Sequence, residues 1–99
     1  MMSPAGGGHG RIALRIAYLL ESFNEKNRSG VVYAAETGFI LQRNPDTVRA
    51  PDVAFLKQSL ADRIEDRYKF VPFAPTIAVE VMSPSDKYSE VAEKAQLWY

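Results

Sequence analysis

The sequence predicts a small α/β domain of the α+β kind, in which a helix precedes a mixed sheet, a second helix follows it, and the last strand is missing. Three observations carry that prediction. Apolar residues recur at helical spacing after Arg11, and short β-prone runs separated by turn residues fill the middle of the chain. One almost wholly apolar run, residues 77–82, then lies between Pro75 and Pro84 ahead of a second helical pattern. With 99 residues, 46% of them hydrophobic, there is material for one core and not for two separately folded units.

Residues 1–10, MMSPAGGGHG, hold four of the six glycines and offer little to bury, so they are expected to form a flexible tail before a domain of residues 11–99. Ile12, Ile16, Leu19, Leu20 and Phe23 mark one face of an amphipathic helix that stops between Asn27 and Gly30. Residues 31–35 and 39–41 are β-prone runs separated by Glu36, Thr37 and Gly38, a spacing that suits a hairpin with glycine in the strained turn position. Asn44, Pro45 and Asp46 make a second turn. The next extended run, residues 48–56, carries Pro51 and Asp52 in its middle, and proline there argues for an edge or a bulge. Residues 57–69 are polar, with room for one or two helical turns, and residues 70–75 are expected to be irregular. Residues 77–82, IAVEVM, read as a buried central strand. Ser85 or Asp86 then caps a helix with Tyr88, Val91, Ala95 and Trp98 on one face and Lys87, Glu90 and Lys94 on another. Tyr99 falls inside that helix, and a strand-then-helix unit normally returns to its sheet, so the domain reads as incomplete.

Composition narrows the chemistry. The absence of cysteine removes disulfides, thiolate metal sites and a cysteine nucleophile together. His9 is the only histidine, so a nitrogen-rich zinc site cannot be built from one chain, and carboxylate-held Mg²⁺ or Mn²⁺ remains. Twelve Lys and Arg balance twelve Asp and Glu, so no bulk positive charge draws in a polyanion. Phosphates would have to be met by a bound ion or by a local cluster such as Lys57, Arg63, Arg67 and Lys69. No apolar stretch approaches the about 20 residues of a membrane helix, and residues 1–10 lack the order of a signal peptide, so a cytoplasmic protein without a membrane partner is expected.

Glu80 is the most informative position, because ionising a carboxyl group inside an apolar strand costs several kcal/mol unless a cation or hydrogen bonds compensate. Two readings stand level: a metal ligand, or a glutamate at the sheet edge paired with a lysine or arginine. Asp52 is the second carboxylate, and adjacent strands can bring two such groups to one divalent ion, which polarises a phosphodiester and activates bound water. Taken alone, Asp52 is a turn aspartate after proline.

The stretch TGFILQRNPDTVRAPDVAFL, followed by FAPTIAVEVMSPSDKYSEVAEKAQLWY, resembles the Uma-two family of restriction endonucleases within the PD-(D/E)XK nuclease superfamily. The resemblance covers nearly everything from His9 to Tyr99, and the paired segments APDVAF and VEVMSPSD make it specific. It implies a restriction-endonuclease-like core and a Mg²⁺- or Mn²⁺-dependent endonuclease acting on nucleic acid, DNA in the first place. Asp52 and Glu80 would then be its metal ligands and catalytic carboxylates. The superfamily pattern puts a lysine two places after the glutamate, where this chain has Met82, and Lys94 on the following helix is the matching amine, with Lys87 as the fallback. A solvated lysine paired with Glu90 is the plain alternative for Lys94.

Glu36, in AAETGF, falls where similar sequences often have glutamate and is either a further acidic group near the metal or a solvated turn residue. Glu21 on the first helix could approach the same site, as in some members of the superfamily, but reads more simply as a surface residue balanced by Arg15 or Lys26. His9 matches a histidine common before this helix in the family, but beside three glycines it is expected to be mobile and is given no role. Tyr88 and Trp98 read as core residues rather than base-stacking ones. The family has an acidic residue where this chain has Thr76, and it continues beyond the last helix into a glycine and a valine-rich strand. A non-catalytic, partner-binding remnant is therefore the competing reading, and an open sheet edge would favour a homodimer. A two-carboxylate glycosidase would need a sugar cleft for which the chain is too small.

Overall fold

Val53, Ala54 and Leu56 are at most 1% exposed, so the strand that carries them is covered on both faces, and the rest of the fold follows from what covers it. The computed structural model describes residues 6–82. Within them the order is α1 (Gly7–Asn27), β1 (Gly30–Ala34), β2 (Phe39–Gln42), β3 (Thr47–Arg49), β4 (Val53–Lys57), the one-turn α2 (Gln58–Ala61) and β5 (Ile77–Val79). The helix expected after Ser85, with Lys87, Tyr88, Lys94 and Trp98, lies outside the described residues.

Strand β4 runs between β1 and β5 in a three-stranded antiparallel sheet, and β2 pairs with β3 in a separate antiparallel ribbon. An isolated parallel bridge joins Phe39 to Val71. The predicted hairpin between residues 31–35 and 39–41 does not form. Strand β1 instead takes the apolar β4 as its partner, with Val31 opposite Leu56 and Tyr33 opposite Ala54. The connection departs through Glu36, whose φ of 69° is the left-handed turn conformation assigned beforehand to glycine. Gly38 is needed for space: a Cβ there would stand 2.7 Å from the Phe70 ring.

The run at residues 48–56 divides at the proline. Pro51 is fully buried in the break, β3 ends before it, and β4 begins after Asp52. Because β4 takes the central place, residues 77–82 are not the buried central strand expected. Only Ile77–Val79 is strand, it pairs with β4 alone among the described residues, and Ile77 is 47% exposed.

Two layers cover β4. On one face Ala54 and Leu56 pack with Phe39 and Val71, and the Tyr33 ring meets Phe39 edge-on at 5.4 Å between centroids. The irregular segment 70–75 is pinned there, since Ile40 donates its N–H to the Val71 carbonyl at 2.8 Å and Val71 donates to Gly38 at 2.9 Å. Each fully buried Phe or Leu contributes roughly 1.5–3 kcal/mol.

Helix α1 lies against β1 and β4. Its first residue is Gly7, so residues 7–10 belong to the helix and not to the expected tail. Glycine disfavours helix by about 1 kcal/mol per residue, and here tertiary contact by His9 opposes that cost. The partly covered stripe is His9, Ala13, Ile16, Ala17, Leu20 and Asn24, whereas Ile12, Leu19 and Phe23 of the predicted face are more than half exposed. Small residues let the helix approach, and a polar contact at each end sets its rotation. At the C-terminal end the Asn24 carboxamide donates to the Gly30 carbonyl at 2.7 Å and accepts the Gly30 N–H at 3.0 Å, like one rung of a ladder. Arg28, with φ 48°, closes the helix by donating its N–H to the Asn24 carbonyl.

Candidate functional site

The β4–β5 ladder ends at the pair Val53 and Val79, and Asp52 and Glu80 are the residues that border that pair. Hydrogen bonding continues past the strands. Asp52 donates its N–H to the Val79 carbonyl at 3.0 Å, and its Oδ2 accepts the Val81 N–H at 2.6 Å. Two acidic residues therefore lie at one end of the sheet. Strand β1 ends at the same place, with Ala34 opposite Val53, and Glu36 follows in the exposed turn.

Asp52 is only 8% exposed. The first turn of α1 delivers His9 to it, with Nε2 at 3.2 Å from Oδ2 and the imidazole 18% exposed. The helix N-terminus also favours a carboxylate there, because its unpaired N–H groups carry partial positive charge. Both contacts to Asp52 fall on Oδ2.

The fold thus brings His9 to Asp52, and Glu80 follows β5 at the same end of the sheet. Glu36 is at the same end of the sheet but exposed. Glu21 is not brought in: twelve residues of helix separate it from His9, about 18 Å, and it accepts from Asn24 Nδ2 at 3.4 Å near the far end. Lys94 and Lys87 fall outside the described residues. Met82, in the place where the superfamily pattern has lysine, is 49% exposed. Among the described residues no group of three His, Asp or Glu side chains is close enough to hold a metal ion at once.

The basic cluster is partly spoken for by rings, with Arg63 over Phe73 at 5.0 Å and Arg67 over Tyr68 at 5.1 Å. Arg43, Arg63 and Lys69 line a cavity of about 620 Å³ with Tyr68 and Phe70, and Glu65 and Asp66 line it too. Neither Asp52, Glu80 nor His9 borders that cavity.

His9 is the residue that sequence reasoning set aside. A signal was present: it stands one helical turn before Ala13, on the stripe that continues through Ile16, Ala17 and Leu20.

A helix on antiparallel sheets defines a mixed α+β protein compatible with a restriction-endonuclease-like fold. The chain belongs to the Uma2 family, whose model, described as "Putative restriction endonuclease", matches residues 1–99. No curated protein matches the chain. Membership supports nuclease chemistry at the level of the family. Among the described residues no helix is long and apolar enough to cross a membrane.

Proposed function

We propose that this protein is a divalent-metal-dependent nuclease acting on nucleic acid, DNA in the first place, with Asp52 and Glu80 as its metal-binding carboxylates. What supports the reading is that Asp52 and Glu80 border the β4–β5 ladder at one end of the sheet, and that the Val81 N–H fixes the buried Asp52 carboxylate. The donor set fits Mg²⁺ or Mn²⁺: the acidic groups offer hard oxygens, and such ions are commonly held by one or two carboxylates with water completing the shell.

A bound divalent ion supplies charge stabilisation for a phosphodiester and lowers the pKa of its water. Asp52 and Glu80 would bind it, and the Val81 N–H would hold the Asp52 carboxylate in one rotamer so that little reorganisation is needed. Lys94 is nominated by the family resemblance to orient the attacking water. Family membership supports nucleic acid as the substrate class.

The test is nicking of supercoiled plasmid with Mg²⁺ and with Mn²⁺. Wild type should nick the plasmid and Asp52→Asn should lose on the order of 100-fold or more of the rate. Folded wild-type protein that cleaves neither DNA nor RNA with either ion would overturn the reading. A non-catalytic, partner-binding role is the second reading, favoured by Met82 and by the absence of a three-residue metal group among the described residues.

A further inference from the structure

We propose that the cavity bounded by Arg43, Tyr68, Lys69 and Phe70 holds an unpaired nucleotide of a single-stranded nucleic acid, its base against the rings and its phosphates on the two cations. The inference rests on the nuclease reading above and adds a place where the substrate strand is gripped, apart from Asp52 and Glu80, neither of which borders the cavity.

Both rings are displayed rather than packed away: Tyr68 is 84% exposed and Phe70 57%. Each is nonetheless held in place. The Phe70 ring lies against Gly38, and the Tyr68 N–H donates to Asp66 Oδ1 at 2.9 Å. The Arg67 guanidinium lies over the Tyr68 ring and donates to its hydroxyl at 3.1 Å, so a base has the opposite face to stack on. Fixed, solvent-facing rings are what base stacking uses, because every base has a π-face.

The cations supply the other half. Arg43 and Lys69 are exposed, and neither side chain has an ion pair or hydrogen bond among the described residues. Arg63 also lines the cavity, so three cations face the two carboxylates of Glu65 and Asp66, a net positive lining in a chain whose overall charge is zero. That small excess suits one or two phosphates rather than a long backbone track. An apolar ligand would use the rings but cover the cations unpaired, a cost that phosphate removes. The volume of about 620 Å³ falls in the range usual for small-ligand sites, room for a base with its sugar and not merely for an ion.

The test is binding of a fluorescent single-stranded oligonucleotide with a metal chelator present, so that cleavage and the ion site play no part. Wild type should bind with an affinity that falls as salt rises. Tyr68→Ala should weaken binding about tenfold or more and Tyr68→Phe should retain it, while Arg43→Ala and Lys69→Ala should each lower the slope of log affinity against log salt by about 0.7. These side chains are exposed, so the variants should fold as wild type does. A free nucleoside monophosphate that competes at equal concentration would overturn the strand as the occupant. Unchanged binding in Tyr68→Ala and in both cation variants would overturn the site, and plasmid nicking by the same protein would leave the nuclease reading standing. No strand bound by folded wild type would also overturn the site, and only the further loss of nicking would take the nuclease reading with it.

Discussion

Replacing Asp52 separates its structural role from its chemical one. Its Oδ2 accepts the partly buried Val81 N–H at 2.6 Å, and the residue is 8% exposed. Asp52→Ala removes that acceptor and leaves a donor unpaired, at a cost of about 1–3 kcal/mol. Asp52→Asn keeps an oxygen in the same place, so its cost should stay below about 1 kcal/mol. Both variants remove the same negative charge, so the comparison between them cancels that effect and isolates the hydrogen bond. The expected gap is roughly 1–2 kcal/mol in metal-free urea unfolding, or about 4–8 °C in Tm per kcal/mol for a domain of this size. Equal stabilities for the two variants, or a more stable alanine variant, would refute the argument that Asp52 is pinned by Val81.

Gly30→Ala would drive a Cβ into the Leu56 carbonyl oxygen and the Phe55 ring, so β1 must move off β4; a loss of about 3 kcal/mol or more in unfolding free energy is expected. Leu56→Ala empties a fully buried position in the shared cluster and should cost about 2–5 kcal/mol by the same measurement. Asn24→Ala removes both bonds to Gly30 and should speed hydrogen exchange at the C-terminal end of α1, with a stability loss of about 1–3 kcal/mol. Gly38→Ala pushes against the Phe70 ring, the end of a side chain that can shift, so its cost should fall below that of Gly30→Ala.

Local pattern carried much of the architecture. The helical spacing after Arg11, the turn at Asn44, Pro45 and Asp46, the interruption at Pro51 and the irregular segment 70–75 are all written in short-range residue choices, and the structure has each of them. Strand partnership was not legible in the same way. The run 31–35 is as apolar as its sequence neighbour, but pairing with β4, a distant segment of the chain, buries it in the sheet that α1 covers. Nothing in the spacing of Glu36, Thr37 and Gly38 reveals that choice. The rotation of α1 escaped for a related reason: two polar contacts, Asn24 with Gly30 and His9 with Asp52, outweigh the larger side chains in deciding which stripe faces the sheet.

The candidate site divides along the same line. Asp52 and Glu80 stand out because each is a carboxylate in an apolar run, and both border the β4–β5 ladder at one end. His9 was obscured by four neighbouring glycines, whose low helix propensity argues for a tail wherever tertiary contact is left out of account. The basic residues of segment 57–69 are read differently once their rings are seen, because Arg63 and Arg67 each lie over an aromatic face.

The central claim, that Asp52 and Glu80 form a divalent-ion site, is tested most directly by calorimetric titration of Mn²⁺ into wild type, Asp52→Asn and Glu80→Gln, each shown to be folded. One saturable site in wild type that is lost in both variants is the predicted result. Saturable binding that survives either substitution, or none in wild type, would contradict it.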